Sequence, residues 1–110
     1  MALSTIALNE ACDAVGVDTI KLHSGDPTSS GTENEIADTS TAVSLGAASV
    51  GIRIMGSGVD INVPPGTVSH YSLWQGTVLK AKDAFPIAEV YAAAGVAKIN
   101  SATLTISNMV

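Results

Sequence analysis

Apolar side chains recur along this chain at two different periods, and the change falls at Gly16. Leu8, Ala11, Cys12 and Val15 are three or four residues apart, the spacing that gathers side chains on one face of a helix. Asn9, Glu10 and Asp13 fall elsewhere on the same wheel. Ser4 or Thr5 stands where an N-cap accepts from the free amides of a first turn. Gly16 suits the left-handed position that closes a helix. The pattern predicts a helix over residues 1–16. A helix of about three turns is not stable alone, so it must dock on the rest of the chain or on a neighbouring subunit.

After Gly16 the period becomes two. Ile20 and Leu22 alternate with Lys21 and His23, which predicts a half-buried strand. Residues 24–34 are rich in turn formers and hold no large apolar side chain, so they read as a long surface loop. Loops of that length in small domains often carry function. Weak strand character resumes over residues 41–45. Val50, Ile52 and Ile54 then alternate with Gly51, Arg53 and Met55. Beyond Gly56-Ser57-Gly58, Val59, Ile61 and Val63 alternate again, and residues 49–63 read as a β-hairpin. Pro64 and Pro65 end it, because proline cannot donate to a ladder. Residues 68–75 form the next strand, with Tyr71 and Leu73 on one face and His70 and Trp74 on the other. Gly76 permits a tight return into 77–82. Short strands follow at 87–91, 96–99 and 102–107.

The sum is mainly β: an antiparallel sandwich or barrel of seven to eight short strands behind one N-terminal helix. The 110 residues make one domain, helix 1–16 and β-domain 17–110, with no linker and no strict repeat.

Composition changes the picture mainly by exclusion. The net charge is −5, and of the five basic residues only Lys80 and Lys82 are close in sequence. Phosphate backbones are bound by clustered Lys and Arg, so nucleic acid is not an expected partner. No apolar run approaches membrane-spanning length, and the first residues lack the basic start of a signal peptide. Cys12 is the only cysteine, which excludes a disulfide scaffold and fits a product made in a reducing cytoplasm.

Candidate chemistry is sparse. No nucleophile elbow, phosphate loop or zinc-protease motif occurs. Ser69 and His70 are adjacent, and neighbouring strand side chains point to opposite faces, so the pair is not expected to form a relay. His23, Asp26, Glu33 and Glu35 flank one acidic loop, but without EF-hand spacing. The expectation is no enzyme, no metal and no cofactor. What remains is interaction: low charge and many small residues make a surface that neighbours can bury.

One stretch, Thr19-Ile20-Lys21-Leu22-His23-Ser24-Gly25-Asp26-Pro27 followed by Gly31-Thr32-Glu33-Asn34-Glu35, resembles a segment of small structural proteins of tailed bacteriophages, common in phages of actinobacteria. Gly66-Thr67-Val68-Ser69-His70-Tyr71-Ser72-Leu73-Trp74 is similar to a second strand of that family, and Ala102-Thr103-Leu104-Thr105-Ile106 to its closing strand. The chain departs from the family after the acidic loop, where Ala37–Ala42 replaces a tyrosine-alanine-arginine stretch, and again over Ala84–Tyr91.

The resemblance implies a virion component made in the host cytoplasm. The first implied role is a capsid decoration protein, a small β-domain, a homotrimer, on the exterior of the shell with the major capsid protein as its partner. On that reading Leu8 and Cys12 of the helix, His23, Asp26, Pro27, Glu33 and Asn34 of the loop, and Trp74 are the expected contact residues. The second is a minor tail or tail-fibre module facing the host surface, where a glycan could be met by Tyr71, Trp74, Phe85 or Tyr91, with Trp74 the best candidate.

Overall fold

In the computed structural model, which describes residues 4–49, 52–56, 58–99 and 103–105, both periods produce the elements they predict. Helix α1 covers Thr5–Ala14, and the Ser4 hydroxyl accepts from the Ala7 amide at 3.2 Å. Leu8 and Cys12 are buried. The expected left-handed closure at Gly16 does not form. Val15 caps the helix in an extended conformation, its amide donating to the Cys12 carbonyl, and Gly16 packs against the Gln75 side chain instead.

Eight strands follow among the described residues: β1 (Thr19–His23), β2 (Thr41–Ala42), β3 (Ile52–Ile54), β4 (Val59–Val63), β5 (Gly66–Gln75), β6 (Val78–Tyr91), β7 (Gly95–Ile99) and β8 (Thr103–Thr105). All pairings are antiparallel. One sheet has the order β2-β1-β5-β6, and the pairs β4–β7 and β3–β8 stand apart from it. The fold is mainly β and sandwich-like, without a closed barrel.

One buried cluster joins the layers. It takes Cys12 from α1, Ile20 and Leu22 from β1, Val68, Tyr71 and Leu73 from β5, Ile61 and Val63 from β4, and Ala97 and Ile99 from β7, with Met55 beside β3. In β4 and β7 the alternation holds, since Ile61 lies opposite Ala97 with both turned inward.

Three expectations need correction. The 49–63 hairpin does not form: β3 pairs with β8 and β4 with β7, so the chain changes sheets between them. Within β3 the faces are inverted. Ile52 and Ile54 are exposed, while Arg53 turns inward to a set of backbone carbonyls. The strands read as 77–82 and 87–91 are one continuous strand, β6, running through Pro86. Its fourteen residues, at about 3.3 Å each, suit the 47 Å long axis of the molecule. Residues 1–3, Val50, Gly51, Ser57 and all of the 102–107 strand except Thr103–Thr105 lie outside the described residues.

Arg53 explains why β3 inverts. Its guanidinium donates to the carbonyls of Val15 (2.8 Å), Gly46 (2.9 Å), Leu45 (3.2 Å) and Cys12 (3.4 Å). Cys12 and Val15 belong to the end of α1, where orphan carbonyls and the helix dipole favour a cation. Asp13 completes the knot, 3.7 Å from Arg53 and accepting from the Ala48 amide at 2.8 Å. The short helix is thereby docked on its own chain.

Candidate functional site

Strands β1 and β5 pair over five positions, from Thr19 opposite Trp74 to His23 opposite His70. This register puts Ile20, Leu22, Tyr71 and Leu73 on the core face and Thr19, Lys21, His23, His70, Ser72 and Trp74 on the other. The second face is where a half-buried strand would meet water. Instead His23, Ser72 and Trp74 are buried there as well. The segment after β1 folds back over them.

The hydrogen bonds on that face form a directed chain. The Trp74 indole N–H donates to Ser72 Oγ at 2.7 Å. Ser72 Oγ lies 2.8 Å from His23 Nε2, and His23 Nδ1 lies 2.9 Å from the Glu33 carbonyl oxygen. A carbonyl oxygen can only accept, so Nδ1 carries the proton, Nε2 accepts, and the Ser72 hydroxyl donates to it. Burial pushes the His23 imidazole below its ordinary value of 6.5, outweighing the Glu33 bond and the Glu35 charge, which act the other way. Lys21 sits 4.5 Å over the Trp74 ring and 3.4 Å from Glu35.

The 24–34 loop is tied down along its length. Ser24 N–H donates to the Asn34 carbonyl, Glu33 N–H to the Pro27 carbonyl, and the Asn34 amide to the Asp26 carbonyl. The Asp26 carboxylate accepts from the Thr28 amide at 2.8 Å and pairs with Lys82 of β6 at 3.0 Å. These two contacts, the amide first, hold its pKa below the ordinary carboxylate range. Gly31 adopts φ +73°, and a β-carbon there would lie 2.7 Å from the Leu79 methyls, so the loop tip rests directly on β6. Thr39, also buried, accepts from the Leu22 amide and donates to the Ile36 carbonyl, in place of a neighbouring strand.

The expected contact residues therefore divide. Leu8, Cys12, His23, Pro27 and Trp74 lie inside the chain's own fold, whereas Asp26, Glu33 and Asn34 are exposed. Burial raises the Cys12 thiol pKa. Of these residues the structure brings together His23 and Trp74, through Ser72, and His23 with the Glu33 backbone. The sequence reading passed over Ser72, although a serine inside the apolar run Tyr71-Ser72-Leu73-Trp74 was the available signal.

Ser69 and His70 require a correction. Ser69 Oγ lies 2.7 Å from His70 Nδ1, so these neighbours do meet. The reason is a register break: Val68 pairs with Glu89 and His70 with Ala84, leaving Ser69 alone opposite residues 85–88. Such a bulge re-aims side chains that regular alternation would separate.

The same bulge makes the most apolar exposed segment of the large sheet. Ile87 is 80% exposed and Val90 77% exposed on β6, which has no strand on its outer side among the described residues. Between this segment and β7 lies a half-open pocket of about 240 Å³. Phe85, Ile87, Tyr91 and Ile99 line it with Glu89 and Lys98. Phe85 packs on Tyr71 with ring centroids 4.9 Å apart, and the Tyr91 hydroxyl donates to Glu89 at 2.7 Å.

Among the described residues no group of three or more His, Cys, Asp or Glu side chains could hold a metal ion. No helix there is long and apolar enough to cross a membrane. Comparison with protein-family models, curated proteins and solved structures finds no match to this chain.

Proposed function

We propose that this protein is a structural component of a tailed-phage virion, a capsid decoration protein that binds the outer surface of the assembled shell as a homotrimer. The observation that carries this reading is the convergence of the residues behind the family resemblance. Thr19–His23 and His70–Trp74, far apart in sequence, pair as adjacent strands in register, and Gly31–Glu35 closes over them through the Glu33 carbonyl. Residues that resemble the family thus form one framework, whose polar members His23, Ser72 and Trp74 bond to one another inside it. A framework of this kind supports a scaffold that presents surfaces.

The exposed apolar side chains of β6 supply a surface for such a role. Ile87 and Val90, beside the Phe85–Tyr91 pocket, gain by being covered when a capsid subunit or a second copy packs against them. A protein that binds only the assembled shell stabilises it by linkage, and three-fold placement multiplies weak contacts.

For the tail-module reading, Trp74 and Tyr71 are buried, which leaves Phe85 and Tyr91 at the half-open pocket as its aromatic candidates. The test is co-sedimentation of the purified protein with expanded empty capsids and, in parallel, with tails. Saturable binding at many copies per shell, with a raised capsid melting temperature, is expected. Binding to tails alone, at a few copies, overturns the decoration role.

A further inference from the structure

The buried histidine has a consequence apart from any partner. We propose that the Ser24–Asn34 loop is a pH-operated cover, closed over the β1–β5 face while His23 is neutral and released when His23 takes up a proton.

The geometry admits only the neutral ring. Nδ1–H is committed to the Glu33 carbonyl, and Nε2 is committed as an acceptor to the Ser72 hydroxyl. A proton on Nε2 turns that contact into two facing donors. Ser72 Oγ can then accept from His23 only by rotating its own hydrogen away, and its oxygen already accepts from Trp74. The displaced hydroxyl hydrogen has to find a new acceptor in a buried site, where an unmade hydrogen bond is costly. The new charge is buried too.

The charged and titratable groups facing His23 do not compensate. Lys21, on its own strand, and His70, across on β5, both oppose a cation there. Glu35 favours it, but its carboxylate is engaged by Lys21 at 3.4 Å. Glu33 contributes its backbone oxygen. Farther out, Asp26 is paired with Lys82.

Release of the loop relieves both problems, because it lets water reach the ring. Release breaks the exposed Asp26–Lys82 pair and the loop's own bonds, Ser24 N–H to Asn34 and Glu33 N–H to Pro27, lifts Gly31 off Leu79 and uncovers the buried Pro27. The rest of the sheet is held by its own ladder and core.

The sign follows from the direction of the His23 shift. Its folded pKa lies below the unfolded value near 6.5, so the closed state has its full stability above that pH. Closure weakens as the pH falls from there through the folded value.

His23 and His70 are the only two histidines, so His70→Gln isolates the titration of His23. The experiment is amide hydrogen exchange on the full-length His70→Gln chain at pH 7.5 and pH 5.0, corrected for intrinsic exchange chemistry. Both values lie above the ordinary carboxylate range. Protection at Ser24, Gly31 and Glu33 is expected to fall from pH 7.5 to pH 5.0, the direction that the lowered His23 pKa dictates. Protection across β4 and β7 is expected to hold. In His23→Asn the side-chain amide can still donate to Glu33 but does not titrate, and the loss is expected to vanish. If that variant does not fold, the His70→Gln comparison decides alone. Unchanged loop protection at pH 5.0, or an equal loss across β4 and β7, overturns the proposal.

Discussion

The 24–34 loop and the 84–91 segment of β6 exchange the roles that their compositions suggest. The loop is polar and rich in turn formers, yet it is fastened to the sheet and shields buried groups. The β6 segment is apolar and β-prone, yet Ile87 and Val90 face outward. Polarity alone does not decide exposure. A polar segment can cover a core when its own groups satisfy one another, as Asp26, Thr28, Asn34 and the Glu33 carbonyl do. An apolar segment stays outside when nothing is laid over it, and among the described residues nothing covers Ile87 and Val90. The first region has its cover built in.

Substitutions can break or sharpen this contrast. The largest effect is expected in the core, on the face of β1 turned away from the loop, where Leu22→Ala removes a fully buried side chain. The loss is about 2–5 kcal/mol, read by denaturant unfolding. Ser72→Ala follows. It strips the partner from both the Trp74 indole and His23 Nε2, at about 1–3 kcal/mol for each group left unsatisfied. Gly31→Ala should cost about 1–2 kcal/mol, since an L side chain is strained at its positive φ and the new methyl meets Leu79. Asp26→Asn should have only a small effect on stability, smaller still in 1 M salt, because the Lys82 pair is exposed and screened. Smallest is the double change Ile87→Ser, Val90→Ser. Stability should stay within about 0.5 kcal/mol of the parent, while capsid binding weakens. A large stability loss there would mean that the chain itself covers the segment.

The sequence carried the helix, the β class and most strand positions, because those depend on local periodicity and on Pro and Gly punctuation. Ser4 as cap and the return at Gly76 follow from residues a few places apart. The errors share a different origin. Arg53 turns inward because helix carbonyls more than thirty residues earlier lie beside it. Ser69 meets His70 because β6 inserts residues opposite it, and Pro86 in a β-prone run was the only local hint of that irregularity. His23 reads as solvent-facing beside Leu22 until the later loop is laid over it. Each of these depends on which distant segment arrives as neighbour, and a period carries no such information.

The pairing pattern also bears on how the chain reaches this state. Strands β5 and β6 are joined through Gly76 and Thr77, with Gln75 directly opposite Val78. The other strand pairs wait on longer closures: β1 meets β2 with Ile20 opposite Thr41, and β1 with β5, β3 with β8 and β4 with β7 each join segments more than thirty residues apart. Closing long loops must come before the contacts that reward it, so topologies of this kind fold in milliseconds to seconds. The β5–β6 ribbon can form early by itself, and during that interval its apolar outer strand is bare. Pro86 lacks the amide that an incoming strand would need, and the bulge around it bends the edge. Pro86 therefore leaves the bare outer side of β6, beside the exposed Ile87, one amide short of what an added strand would pair with.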